Sequence, residues 1–321
     1  MQSIIKPIDK SIIKAELTPD KFLRRTNKAN NEIYIITAGD SPNTMKEIGR
    51  LREIAFRHYG GGTGKEMDID EYDTMDNAYR QLIVWNPEEE LILGGYRFLC
   101  GPDVKFDTAG KPILATSHLF NFSPKFINQY LPYIVELGRS FVTLEYQATR
   151  EGAIKGIFVL DNLWDGLGAM TVIDPSLQYF FGKVTMYKTY NPKARDMILY
   201  FLAKHFPDHE KLITPIRPLD NNPDITHLNN LFRSTDYKDD YRTLNQEVRK
   251  FKINVPPLVN AYMSLSPKMR TFGTAINDTF GDVEETGILI AISEILEEKK
   301  KRHIETYFKE EYSSIPLIKY N

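Results

Sequence analysis

Four short spacings hold the side chains best suited to chemistry in this 321-residue chain. Arg52-x-x-x-Phe56 sets a guanidinium and a ring about one helical turn apart, on one face. Asp70-x-x-Asp73 pairs two carboxylates just after a glycine-rich stretch, and Gly94-Gly-Tyr-Arg97 puts an arginine on a strand. Glu136-x-x-Arg139 sets an acid and a guanidinium within a later strand. Partial burial can raise a carboxyl group until it accepts a proton near neutrality, and a guanidinium fork clamps a carboxylate through two parallel bonds. The set therefore suits acid–base work on a small charged substrate. The plain alternative is that each pair is a solvated or internal ion pair. Charges at such spacings are common, so the order and separation of all four carry the signal.

Three other features invite chemistry and carry less. Gly60-Gly-Gly-Thr-Gly-Lys65 looks like a phosphate loop, but that pattern needs glycine where Tyr59 stands, Ser or Thr where Glu66 stands, and a preceding strand. A flexible loop is the expectation. Cys100 is the sole cysteine, so a disulfide framework and a cysteine zinc cluster are excluded. It has no histidine near it in sequence, which argues against a covalent intermediate. His205 and His209 have ligand spacing on a helix, but Phe206 replaces the Glu of H-E-x-x-H and Pro207 breaks the turn, so no metal is expected.

These residues must be positioned by a regular framework. Residues 31–38 read as a β-branched, aromatic strand, and Ile48, Leu51, Ile54 and Ala55 recur at helical spacing through about Tyr59. Residues 79–85 and 91–99 form a hairpin around a polar loop. Strands are expected at 133–143, 179–187, 272–277 and 287–293, and helices at 156–169, 256–265 and 294–311. Residues 191–250 are charge-rich and mostly helical, with a break at 215–224. The order predicts an α/β fold, a mixed sheet that is mostly antiparallel and then parallel, flanked by helices. The expected organisation is an arm at 1–30, a main domain at 31–293 with a helical insertion near 191–250, and a C-terminal helix and tail at 294–321.

Composition narrows the partners. Lys+Arg total 41 against 43 Asp+Glu, a net charge of −2, which gives no general basic footprint for nucleic acid. No run approaches the roughly 20 apolar residues of a membrane span, and the N-terminus lacks a secretory core, so a cytoplasmic protein is expected.

The four motifs, in this order, resemble the N-acyltransferase branch of the GNAT superfamily, in particular the ornithine-lipid and glycine-lipid forming enzymes, whose members often carry a hemolysin label. More distantly they are similar to the acyl-homoserine-lactone synthases. Pro256-Pro-Leu-Val-Asn-Ala-Tyr262 and Phe280-Gly-Asp282 match later family segments. The resemblance covers roughly 45–190 and 254–293 and implies a GNAT-like sheet. The tryptophan that lactone synthases carry after R-x-x-x-F gives way here to the glycine-rich loop, which argues against S-adenosylmethionine. The pyrophosphate motif of acetyl-CoA enzymes is also absent, since Ala153 stands where its glycine would follow Arg150. That tilts the donor toward an acyl carrier protein.

Amide formation from a thioester requires a neutral amine, preorganised donors for the oxyanion, and alignment of two substrates. Glu136 and Arg139 are expected as the catalytic pair, with Glu136 as general base. Regular pleating would send them to opposite faces, but a β-bulge at Gly138 would bring them together and free backbone N–H groups near Arg139–Phe141 for the oxyanion. Arg52, Phe56, Asp70, Asp73 and Arg97 are expected at the acceptor. Phe141, Val142, Arg150 and Lys155 are expected at the acyl donor. Arg150, Lys155, Lys183, Lys188, Lys193 and Arg195 form a candidate basic dock for an acidic carrier protein. Trp164, Phe158, Phe180 and Phe181 are candidates for an acyl tunnel or for core.

The resulting expectation is transfer of a 3-hydroxylated fatty acyl group from acyl carrier protein to the α-amine of glycine or ornithine, for aminolipid synthesis. No tightly bound cofactor is expected; the donor is acyl carrier protein or CoA thioester, and peripheral membrane association is an added expectation. One alternative is a CoA-dependent acetyltransferase of another amine, distinguished by its choice of thioester. The other is a non-enzymatic, membrane-active hemolysin-like protein, distinguished by lysis of liposomes without acylation.

Overall fold

The computed structural model describes residues 1–147 and 150–308, and of residues 150–157 the backbone alone. Helix α1 (Lys10–Glu16) starts on Asp9, whose carboxylate accepts from the Ser11 N–H, and strand β1 (Phe22–Arg25) follows. Next come β2 (Glu32–Ile36) and α2 (Pro42–His58), which opens on a proline whose fixed φ and missing N–H suit a first turn. Then come α3 (Glu71–Thr74), β3 (Arg80–Asn86), β4 (Leu91–Cys100), β5 (Phe120–Phe122), α4 (Pro124–Gln129) and β6 (Ile134–Val142). The chain continues through α5 (Arg150–Ile173), β7 (Tyr179–Met186), α6 (Pro192–His205), β8 (Ile213–Pro215), α7 (Ile225–Leu231) and α8 (Tyr237–Arg249). It closes with α9 (Pro257–Leu265), β9 (Arg270–Asn277), β10 (Val283–Ala291) and α10 (Glu297–His303).

Eight strands form one sheet in the order β1-β2-β3-β4-β6-β7-β10-β9, and β5 with β8 forms a separate ribbon. Every pair in the large sheet is antiparallel except β6–β7, which is parallel. Helix α2 packs Met45, Ile48, Leu51, Ala55 and Phe56 onto one face, against Ile36, Ile83 and Phe141. On the other face α5, α6 and α9 cover Leu82, Val84, Leu137 and Val184. The expected α/β sheet with flanking helices is therefore present. Among the described residues no helix is long and apolar enough to cross a membrane.

One pairing positions the site. Strands β6 and β7 match over only three residue pairs, from Ile134↔Tyr179 to Glu136↔Phe181, and no pairing continues beyond them. At the fork a Cβ on Gly182 would lie 2.8 Å from the Leu137 carbonyl oxygen, so the absence of a side chain there allows the close approach.

Three elements differ from the sequence reading. Strand β1 lies inside the expected N-terminal arm and adds an edge to the sheet; its Phe-Leu-Arg-Arg run is too short and too charged to show a period. Strand β10, expected from residue 287, begins at Val283, because Glu284, Glu285 and Thr286 interrupt the apolar run yet are all buried. The charged terminal helix spans only Glu297–His303, and residues 309–321 of the expected tail lie outside those described.

Replacing Gly182 by alanine forces Leu137 and Gly182 apart at the fork. The Gly182→Ala protein should lose about 1–3 kcal/mol of stability, as overpacked sites do. Urea unfolding that superimposes on wild type would show that the approach has room to spare.

Candidate active site

Three of the four motifs, with Arg139 of the fourth, meet in a buried lattice of alternating charge. Asp70 caps α3 by accepting from the Tyr72 N–H, and Asp73 reaches back to accept from the Asp70 N–H. The D-x-x-D spacing is thus a capping box, which fixes both carboxylates. Arg97 from β4 donates to Asp70 at 2.7 and 2.8 Å and touches Asp73 at 3.4 Å. Arg52 from α2 is fully buried, lies 3.3 Å from both Asp73 oxygens, and donates to Gln81. Arg139 donates through Nε to Asp68 at 3.1 Å and through Nη2 to Asp70 at 3.3 Å. Burial by itself would raise the Asp73 carboxyl, but Arg52 and Arg97 hold it down to about 2.

The sheet bulge exists, one residue beyond the expected position. Gly95 faces Phe141 and Arg97 faces Gly138, so Arg139 and Ser140 together oppose Tyr96 alone. Arg139 carries the distortion with φ of +49°, a left-handed value uncommon outside glycine. The bulge brings Glu136, Gly138 and Phe141 onto the α2 side. Arg139 lies there too, its guanidinium 4.3 Å from the centre of the Phe280 ring.

Glu136 is enclosed by its own partners. Its carboxylate is buried, accepts from the Tyr79 hydroxyl and from the Thr116 N–H at 3.1 Å, and does not line the cavity described next. Burial raises its pKa despite those bonds and the Arg97 charge. A closed local network occupies both oxygens of the Glu136 carboxylate, which was expected as the general base. Through Tyr79, whose ring lies 5.2 Å from the Arg97 guanidinium, it braces the lattice.

A cavity of about 810 Å³ opens where β6 and β7 part. Phe56, Arg139, Phe141 and Phe280 line it on the α2 side. Leu137, Val142, Met186 and Tyr262 line it on the α5 side, so it passes through the sheet. Its apolar part is built from Leu160 and from Ile253, Pro256, Pro257 and Leu258; its charged end is Arg139, Lys183 and Glu285. A volume of this size, with a few converging polar groups, is characteristic of small-ligand sites.

Phe56, Arg139, Phe141 and Val142 therefore reach the cavity, whereas Arg52, Asp70, Asp73 and Arg97 form the platform behind it. The side chains of Arg150 and Lys155 lie outside the described residues. Among the other candidate dock residues, Lys183 lines the cavity rather than the surface, Lys188 pairs with Asp282 at 2.8 Å, and Arg195 pairs with Glu284 at 2.6 Å. Trp164, Phe180 and Phe181 are core, and Phe158 is 38% exposed, so none of the four lines the cavity.

The cavity wall also holds Glu285, Tyr96 and Ser140, which sequence reasoning did not single out, and Lys183, which it had placed in the basic dock. Tyr96 hydrogen-bonds both Ser140 and Tyr262, joining the G-G-Y-R and P-P-L-x-x-x-Y segments, and burial raises its pKa. A charged pair inside an apolar strand was the available signal for Glu285. The glycine-rich loop is pinned rather than free. The buried Glu53 carboxylate accepts from the Thr63 and Gly64 N–H groups at 3.0 and 2.8 Å, filling the place an anion would take. Burial pushes the Cys100 thiol up to about 12, away from nucleophilic use.

Asp73→Asn leaves Arg52 without its buried partner and should cost about 3–5 kcal/mol. A carboxylate held low in the folded chain stabilises it above its free value of 3.8, and this is lost as pH falls toward about 2. The gap between wild type and variant should therefore narrow across that acid window in denaturant titrations. A gap that does not change with pH would remove Asp73 as its source.

Residues 51–154 match the acetyltransferase (GNAT) domain family. The chain is 68% identical over 310 residues to a protein of Phocaeicola vulgatus named glycine N(alpha)-acyltransferase, covering 97% of this chain and 95% of that one. It is 66% identical over 307 residues to a protein of the same name from Bacteroides thetaiotaomicron, covering 96% and 91%. A solved CoA-dependent acyl-homoserine lactone synthase with S-adenosylmethionine and isopentyl-CoA aligns over 90% of this chain and 92% of its own at 11% identity, with a TM-score of 0.35. At that score the likeness carries nothing further. With two curated relatives at this identity over nearly the whole length, the chain belongs to the glycine N(alpha)-acyltransferase family and is an acyltransferase of the GNAT class.

Proposed function

We propose that this chain moves a long, 3-hydroxylated fatty acyl group from the thioester of an acyl carrier protein to the α-amine of glycine, yielding an acyl amino acid for membrane lipid synthesis. The observation that carries the reading is the cavity through the sheet, with a charged end on one side and an apolar arm on the other. A fatty chain gains roughly 0.8 kcal/mol for each methylene it buries, which favours an arm lined by Leu160, Ile253 and Leu258. The acceptor then meets the thioester where the strands part. Glycine rather than ornithine is supported by the names of the two relatives.

The bulge residue leaves the regular ladder, so its backbone N–H is available to a developing oxyanion, and the Arg139 guanidinium adds positive charge beside it. Ser140, Tyr96 and Tyr262 form a chain of hydroxyls in the same wall, suited to returning a proton to the leaving sulfur. Glu136 and the lattice of Arg52, Asp70, Asp73 and Arg97 hold this geometry without touching substrate. The missing glycine at Ala153 supports a carrier-protein donor over CoA.

The test is to incubate the purified protein with glycine and a long-chain acyl carrier thioester and to look for N-acylglycine by mass spectrometry. Product from acetyl-CoA and a different amine, with none from glycine, would sink the reading. Arg139→Ala should lower turnover by about tenfold or more, read per folded molecule because the change also strips Asp68 of its partner. Leu258→Trp should shorten the apolar arm, reducing kcat/KM for long donors while leaving short ones unaffected. An equal loss for both chain lengths would remove Leu258 from the acyl path.

A further inference from the structure

The charged end of the cavity contains a pair that the lattice does not use. Glu285 of β10 faces Thr185 of β7, and Gly287 faces Lys183, a register that brings the Lys183 ammonium onto the Glu285 carboxylate. Glu285 is fully buried and the Lys183 side chain is 12% exposed. Thr185 Oγ1 and Asn277 Nδ2 each donate to the carboxylate at 3.2 Å. Among the described residues Glu285 is the one carboxylate on the cavity wall. Desolvating two ions costs several kcal/mol each, and apolar residues of similar size often serve a fold as well or better. An ion pair kept in the wall of a substrate cavity is therefore a functional candidate.

A free amino acid carries an ammonium and a carboxylate one carbon apart, the inverse of this wall. Laid head to tail against it, each charge of the zwitterion meets its opposite, and the Arg139 guanidinium lies on the same cavity wall. We propose that Lys183 and Glu285 are the seat of the acceptor, Lys183 holding its carboxylate and Glu285 its ammonium, and that Glu285 takes the proton the nitrogen must lose. The inference rests on the reading that an amino acid is the acceptor.

The step balances. One N–H bond breaks and an O–H bond forms on Glu285; the freed lone pair attacks the thioester carbon. The C–S bond then breaks, a second proton passes from nitrogen to sulfur, and Glu285 returns its proton to solvent after release. The resting pair is poised for this exchange. Burial pushes the Glu285 carboxyl up, but Lys183, then Arg139, hold it below the usual range. An arriving carboxylate draws part of the Lys183 charge away from Glu285, and the ammonium laid against Glu285 is the group whose proton it takes. The other charged or titratable neighbours are Arg97, whose charge acts on Lys183, Tyr187 of the cavity wall, and His118, which bonds Asn277 from the loop before β5.

The experiment combines two variants with one wild-type measurement. Glu285→Gln should lower kcat/KM for glycine by about a hundredfold at neutral pH, regaining activity as rising pH supplies free amine, with donor KM unchanged. Lys183→Met should raise KM for glycine and abolish the preference for glycine over glycinamide, which lacks the carboxylate. In the wild type, glycine but not ethylamine should slow acetylation of Lys183 by an amine-directed reagent, read by mass spectrometry. Unchanged glycine kinetics in a folded variant, an equal rise in donor KM, or labelling of Lys183 indifferent to glycine would each overturn the seat. A wild-type enzyme that acylates another amine and not glycine would instead overturn the proposed reaction.

Discussion

Strands β6 and β7 stop pairing after three residue pairs, and the site depends on that early parting. A sheet that continued to zip would seal its own middle with backbone hydrogen bonds. Here the two strands are held close at Gly182 and the Leu137 carbonyl and diverge beyond, so both faces of the sheet share one opening. The unmade bonds fall where ligand, rather than a neighbouring strand, can supply partners. Two apolar layers that would otherwise be separate cores are joined through this gap, which explains how a single cavity is lined from both clusters.

Holding such a gap open requires rigidity on its rim, and the arginine–aspartate lattice supplies it. Arg52, Arg97 and Arg139 come from α2, β4 and β6, and Asp68, Asp70 and Asp73 from the segment leading into α3. Three cations and three anions alternate, so no charge is buried alone. Removing any one would leave its neighbours uncompensated, which ties the helix, two strands and the loop into a unit. The strained φ of Arg139 is maintained within this unit, because its guanidinium is fixed by Asp68, Asp70 and the Phe280 ring. Strain of this kind persists where the surroundings over-determine it.

The proposed chemistry rests on the contrast between the two ends of the opening. An apolar arm favours a fatty chain without specifying polar groups, while the far end places a fixed ion pair and a guanidinium beside the gap. The hydroxyls of Ser140, Tyr96 and Tyr262 connect the two. The later motif P-P-L-x-x-x-Y gains a physical meaning in this setting: Pro256, Pro257 and Leu258 wall the arm, and Tyr262, about one helical turn beyond Leu258, closes the hydroxyl chain.

The order of the main elements and the need for a bulge near Gly138 were legible in the sequence, because each depends on periodicity or strand alternation within a few residues, whereas the capping box that Asp70 and Asp73 form emerged only with the fold. The sequence also singled out Arg139, Phe56 and Phe141, which the fold places on the cavity wall. It could not tell an acid on the cavity wall from one behind it. Glu136 and Glu285 both stand within apolar strands, but Tyr79 and Thr116 close over the first, whereas the second meets Lys183 across a strand pair about 100 residues apart in the chain. Which charges partner one another, and which are left facing an opening, depends on contacts between segments distant in sequence. Local spacing holds no record of them, so only the tertiary packing decided which charges face the opening and which stand behind it.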